Sequence, residues 1–90
     1  RGKHSHYKTK QLLISVNGSI DVKCDDGMGG VGEWQLNQPW KALYIPEMIW
    51  DEQVYMNHNA VLLVLSNTNY NLSDYIEDYE EFKRLKNESK

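Results

Sequence analysis

Between Gln11 and Leu65 the sequence repeatedly starts a short, strand-like apolar segment and then breaks it with turn formers, which leaves no room there for a helix of ordinary length. Gln11 to Val16 alternates, with Leu12, Ile14 and Val16 on one side. Asn17-Gly18 follows, a strong hairpin signal because both central positions of a type I′ turn need positive φ. Ser19 to Cys24 alternates again, which predicts Ile20, Val22 and Cys24 inward, and Asp25-Asp26-Gly27 with Gly29-Gly30 marks a second turn. Glu33 to Leu36 reads as a short strand broken by Asn37-Gln38-Pro39. Ala42 to Ile45 reads as another, stopped by Pro46, and Ile49 to Met56 as one more before the turn Asn57-His58-Asn59. Ala60 to Leu65 is continuously apolar and predicts a strand buried on both faces.

After Leu65 the pattern changes. Asn67 to Asn71 is polar loop, and Ser73 or Asp74 can cap a helix over residues 73–87. Tyr75, Tyr79 and Phe82 fall at helical spacing, with Ile76 and Leu85 beside them. Acidic residues come early (Asp74, Glu77, Asp78) and basic ones late (Lys83, Arg84, Lys86), complementing the helix dipole. The expected architecture is a single all-β domain over residues 1–90: an antiparallel sandwich or barrel over residues 1–66, with one C-terminal α-helix packed on it.

Composition excludes several roles. A net charge of -3 argues against a nucleic-acid partner, which needs clustered Lys and Arg. Cys24 is the one cysteine, so an internal disulfide is ruled out and a reduced, cytoplasmic compartment is expected. The longest apolar run, Ala60 to Leu65, is far short of the ~20 residues of a membrane span. The matches to Asn-x-Ser/Thr at Asn17, Asn71 and Asn87 need a secretory context that no signal-peptide pattern supports. Three Trp and six Tyr suit a β core or a sugar-facing pocket.

The chemistry concentrates in His4-Ser5-His6. In a strand, residues i and i+2 share a face, so both imidazoles project to one side. An imidazole can take and return a proton near neutral pH. With Gln11 and Gly18 behind it, this segment resembles the first motif of the cupin class, where a Glu stands in place of Gln11. Pro46, Met48 and Asp51 have the spacing of the second cupin motif, where Gly and His replace Met48 and Asp51. Three readings stay open: two histidines merely satisfied by hydrogen bonds inside the barrel, acid/base chemistry without a metal, or a divalent metal held by His4, His6 and Asp51 as in facial-triad sites. His58 sits in a turn and is expected at the surface.

A closer resemblance rests on Arg1-Gly2-Lys3-His4-Ser5-His6, Gln11-Leu12-Leu13, Val16-Asn17-Gly18-Ser19, Asp25-Asp26-Gly27, Leu43-Tyr44-Ile45, Trp50-Asp51-Glu52 and the tail Ser73-Asp74-Tyr75-Ile76 with Tyr79 and Phe82-Lys83. Together these resemble the WxcM-like/FdtA-type family over essentially the whole chain. The resemblance implies a cupin-like antiparallel jelly roll and a 3,4-ketoisomerase moving the ketone of dTDP-4-dehydro-6-deoxyglucose from C4 to C3, for deoxysugars of bacterial surface polysaccharides. It implies no cofactor and no metal, and a homodimer with exchanged strands. It also implies His6 as the base at C3, His4 as its partner at the sugar oxygens, and Arg1 at the nucleotide. The resemblance ties the position of Asp51 to the face on which C4 is protonated, and Asp there departs from the family's His or Arg; Tyr44 and Trp50 are candidates to stack on sugar or thymine. The family domain carries strands ahead of the His-x-His segment, and the chain, opening at Arg1 directly into it, reads as part of something longer. The alternatives are a dTDP-sugar 3,5-epimerase-like cupin and a non-catalytic sugar-binding cupin.

Overall fold

The alternating segments form strands, and they divide between two three-stranded antiparallel sheets. The computed structural model describes residues 2–88. Its elements are β1 (Ser5–His6), β2 (Gln11–Asn17), β3 (Ile20–Asp25), β4 (Val31–Leu36), β5 (Leu43–Ile45), β6 (Trp50–Tyr55), β7 (Val61–Ser66), β8 (Tyr75–Ile76) and α1 (Tyr79–Glu88). One sheet has the order β5-β2-β7, the other β4-β3-β6, and β1 pairs with β8 apart from both. Leu13 and Ile45 from the first sheet and Ile20, Val22 and Leu36 from the second fill one core, so the two sheets face each other as a sandwich.

Strand pairing departs from the sequence expectation in two places. Asn17-Gly18 makes no hairpin: β2 pairs with β5 and β7, and β3 with β4 and β6. Only Gly18 of the two takes positive φ, at 77°, so the turn is not type I′ and carries the chain from one sheet to the other. A Cβ on Gly18 would lie 2.9 Å from the Ala60 Cα, so the close approach also requires glycine. The second correction concerns β7, which is an edge strand rather than one buried on both faces. Val61 and Leu65 are each 49% exposed. Leu12 and Val16 of β2 and Tyr44 of β5 are exposed as well, and pairing of Leu12 with Tyr44 and Leu65 joins these residues into one apolar outer face.

The predicted C-terminal helix is real but starts at Tyr79. Its N-cap is Asp78, whose carboxylate accepts from the Glu80 N–H at 2.9 Å. Residues 72–74 form a single 3-10 turn capped by Asn71, and Tyr75–Ile76 extend to pair with β1. Tertiary pairing thus overrides the helical spacing of Tyr75. Phe82, fully buried, joins Trp50 and Ile76 in a second core that seats α1 against the start of β6.

Candidate active site

The histidine segment has little structure of its own and is held by remote backbone. His4 and Asp51 form a bridge, the Asp51 N–H donating to the His4 carbonyl at 2.9 Å. The His6 carbonyl accepts from Met48 N–H at 2.8 Å, and Tyr7 N–H donates to the Asp74 carbonyl at 3.0 Å. Met48 is the one non-glycine residue with positive φ among the described residues, at 59°. This left-handed conformation explains why glycine stands at the matching position of the cupin motif. Asp74 completes the clamp: its carboxylate accepts from Lys8 N–H (3.0 Å), Thr9 N–H (3.1 Å) and the Thr9 hydroxyl (2.5 Å). Burial alone would raise Asp74, but these hydrogen bonds and the nearby His6 hold it below the usual carboxylate value.

Alternation along this segment puts His4 and His6 on one face, as the spacing requires. Their ring centroids are 4.8 Å apart, nearly perpendicular. Tyr75, opposite His6 in the β1–β8 register, lies 4.5 Å from the His6 ring and 5.1 Å from His4, and so covers both. Burial pushes His4 down to about 4, with His6 adding to the effect. Burial also lowers His6, against the pull of Asp74. Both rings are therefore neutral at pH 7, each with a nitrogen lone pair able to take a proton. Burial raises the Tyr75 phenol, which stays protonated as a hydrogen-bond donor.

The imidazoles open on a cavity of about 380 Å³. Its walls come from β6 (Gln53, Tyr55), β2 (Gln11), β7 (Leu62, Val64, Ser66) and the loop from Thr68 to Asn71. Amides and hydroxyls dominate the loop side, a lining suited to a ligand rich in oxygens. Gln11, where cupin metal sites carry Glu, donates to the Ser66 hydroxyl at 3.1 Å.

The structure gathers some of the expected residues and separates others. His4 and His6 line the cavity. Asp51 is 1% exposed beneath His4, and its Oδ2 accepts from Gln53 Nε2 at 3.0 Å. Trp50 does not line the cavity: it is buried against Tyr79 and Phe82, because its place at the start of β6 faces α1. Tyr44 is 52% exposed on the outer face of β5, also away from the cavity. Arg1 lies outside the described residues. His58 is in the exposed turn, as expected. No group of three His, Cys, Asp or Glu side chains converges to hold a metal ion among the described residues, so the facial-triad alternative of His4, His6 and Asp51 does not form. Tyr75, Tyr70 and Gln53 were not singled out by the sequence. For Tyr75 the available signal was Asp78 followed by Glu81, which puts the helix start beyond it.

The family model described as "FdtA: WxcM-like, C-terminal" matches residues 1–87, and the chain belongs to that family. Its cupin-type all-β fold with one C-terminal helix is that of solved sugar ketoisomerases. It superposes with a TM-score of 0.93 on QdtA, a sugar 3,4-ketoisomerase from Thermoanaerobacterium thermosaccharolyticum in complex with TDP, at 34% identity, covering 99% of this chain and 64% of that one. WlaRA, a TDP-fucose-3,4-ketoisomerase from Campylobacter jejuni, gives a TM-score of 0.89 at 40% identity over 98% of this chain and 64% of its own. In sequence, the TDP-4-oxo-6-deoxy-alpha-D-glucose-3,4-oxoisomerase of Aneurinibacillus thermoaerophilus is 37% identical over 84 residues, 93% of this chain and 60% of that protein. The chain thus spans less than two thirds of the length of these relatives. Among the described residues no helix is long and apolar enough to cross a membrane.

Proposed function

We propose that this chain carries the catalytic histidines of a nucleotide-sugar 3,4-ketoisomerase acting on dTDP-4-dehydro-6-deoxyglucose. One observation carries the reading: two imidazoles stand side by side on one wall of an oxygen-friendly cavity, under the Tyr75 phenol. A proton α to a ketone is acidic enough for such a base. His6 removes the proton from C3, giving an enediolate with the C3–C4 double bond, and O4 takes a proton. Return of a proton to C4, and loss of the hydroxyl proton at O3, leaves the ketone at C3. The oxidation of one carbon balances the reduction of its neighbour, so no external redox partner enters. His4 exchanges protons at the sugar oxygens, and Tyr75 donates toward the developing oxyanion.

The relatives support the substrate class. QdtA has been solved with TDP, and a histidine-to-asparagine variant of it with TDP-4-keto-6-deoxyglucose. On the family resemblance, Arg1 contacts the nucleotide, with the bidentate geometry that suits pyrophosphate. A second copy of the chain is the proposed partner. The exposed apolar face of β5, β2 and β7 supports a homodimer, since burying Leu12, Val16, Tyr44 and Leu65 removes apolar surface from water. The setting that follows is cytoplasmic synthesis of deoxysugars for bacterial surface polysaccharides.

The test is proton NMR of the substrate incubated with the protein in D2O. The expected result is a 3-keto product with deuterium at C4, whose coupling pattern gives its configuration. His6→Asn should abolish turnover while retaining nucleotide-sugar binding. Absence of both product and exchange with the folded parent chain would overturn the proposal.

A further inference from the structure

His4 has a second neighbour that acid/base chemistry at His6 does not use. The backbone bridge sets His4 opposite Asp51, and the side chains meet on the inner side of that bridge, His4 Nε2 lying 3.9 Å from Asp51 Oδ1. Nε2 is buried and has no hydrogen-bond partner. The other carboxylate oxygen is anchored by Gln53 Nε2. An orphaned ring nitrogen facing a fully buried carboxyl, one small rotation beyond hydrogen-bonding distance, is an unusual placement for two polar groups.

We propose that Asp51 is a positioning residue for His4, holding the hydrogen on Nε2 and so leaving Nδ1 as the nitrogen that accepts a proton. The proposal rests on the ketoisomerase reading only for its catalytic consequence. The pairing itself is a property of the folded chain. Burial raises Asp51 to about 7 and lowers His4 to about 4, so near neutrality the pair shares very few charges and a single proton decides its state. Ionised Asp51 accepts from Nε2–H. Protonated Asp51 donates to Nε2 and drives the imidazole hydrogen to Nδ1, which removes the acceptor. His4 is therefore switched by the carboxyl beneath it, from active tautomer above the Asp51 midpoint to inactive tautomer below it. The other groups facing Asp51 are Gln53 on its own strand, Glu52, and Cys24, its partner in the β3–β6 register, whose thiol burial and Asp51 push up to about 11 and so keep neutral. On the far side of His4 stand His6, with Asp74 behind it, and the Tyr75 phenol.

Two-dimensional proton–nitrogen NMR of the 15N-histidine-labelled chain tests this without substrate. The expected result is that the His4 Nδ1 and Nε2 shifts exchange tautomer character at the same pH at which the 13C-labelled Asp51 carboxyl titrates. In Asp51→Asn that transition should vanish. His4 shifts indifferent to the Asp51 titration, in the parent chain or across the substitution, overturn the proposal; the parent-chain measurement decides even where Asp51→Asn does not fold. Activity gives the separate readout: the acid limb of the pH–rate profile should follow the Asp51 midpoint in the parent and be absent in Asp51→Asn. Coupled shifts in a chain that turns over no substrate would uphold the pair and reject the ketoisomerase reading instead.

Discussion

Asp51→Asn should make the fold more stable at alkaline pH. Asp51 is 1% exposed, and burial raises it from 3.8 to about 7, against the hydrogen bond from Gln53. A carboxyl raised in this way binds its proton more tightly in the folded chain than in the unfolded one. The fold therefore loses stability as pH climbs from about 4 to about 7, and loses no more beyond. At about 1.4 kcal/mol per pH unit the full cost is about 4 kcal/mol, and relaxation around the ionised group brings it to about 2–4 kcal/mol. That is a large share of the ~5–15 kcal/mol typical of a domain. Asparagine has the same shape, can accept from Gln53 and cannot ionise. The variant should exceed the parent by about 2–4 kcal/mol at pH 8 and match it near pH 4, where Asp51 is protonated. His4 works in the opposite direction: its lowered value costs stability as pH falls from 6.5 toward 4. Urea unfolding followed by fluorescence serves as the assay, since Trp50 is buried while Trp34 and Trp40 are exposed. A stability difference that stays constant with pH, or a variant less stable at pH 8, would refute the assignment of a raised Asp51. If the gain is found together with lost activity, the carboxyl is kept for use at a cost in stability.

Phe82→Ala removes a fully buried ring from the core under α1 and should cost about 3–5 kcal/mol in chemical denaturation, with amide exchange protection at Ser5 and Ile76 falling with it. Gly18→Ala meets both a φ of 77° and the Ala60 backbone at 2.9 Å, and should lower stability by about 2 kcal/mol or more in thermal melts. Asp74→Asn replaces the charged acceptor of the Thr9 and Lys8 hydrogen bonds and should cost about 1–2 kcal/mol at neutral pH. Because Asp74 sits below the usual carboxylate value, its contribution is present above about pH 4 and lost below, so the variant should also show a flatter acid limb in a pH series of melts.

Local patterns in the sequence were enough for the strands, the turn at Asp25-Asp26-Gly27 and the histidine pair. Alternation is a property of the backbone, and residues two apart must share a face. Long-range choices were less legible. Asn17-Gly18 signals a change of direction without saying whether the next strand pairs with the last or crosses to another sheet. In β2 alternation sets Leu12, Ile14 and Val16 on the more apolar face, yet that face is the outer one, and Leu13 and Ser15 point inward. Asp51 was legible as a polar residue at a motif position, but its contact with His4 depends on a bridge between distant segments. Tyr75 fitted a helical spacing that pairing with His6 overrides, and Trp50, which suited a sugar platform by residue type, is held in the core by α1.

Among the described residues, the segment that bears His4 and His6 pairs with chain far downstream, at Met48, Asp51, Tyr75 and Ile76. The consequence lies in the order of assembly. Loop closure over so many residues is slow relative to local turns, so the sandwich can condense around Leu13, Ile20 and Val22 well before the histidines are fixed. During synthesis both imidazoles leave the ribosome well before the residues that place them, and wait unplaced until α1 arrives to seat β8. A chain arrested before Tyr75 would hold every histidine and most of the core, yet have no wall to hold the pair in place.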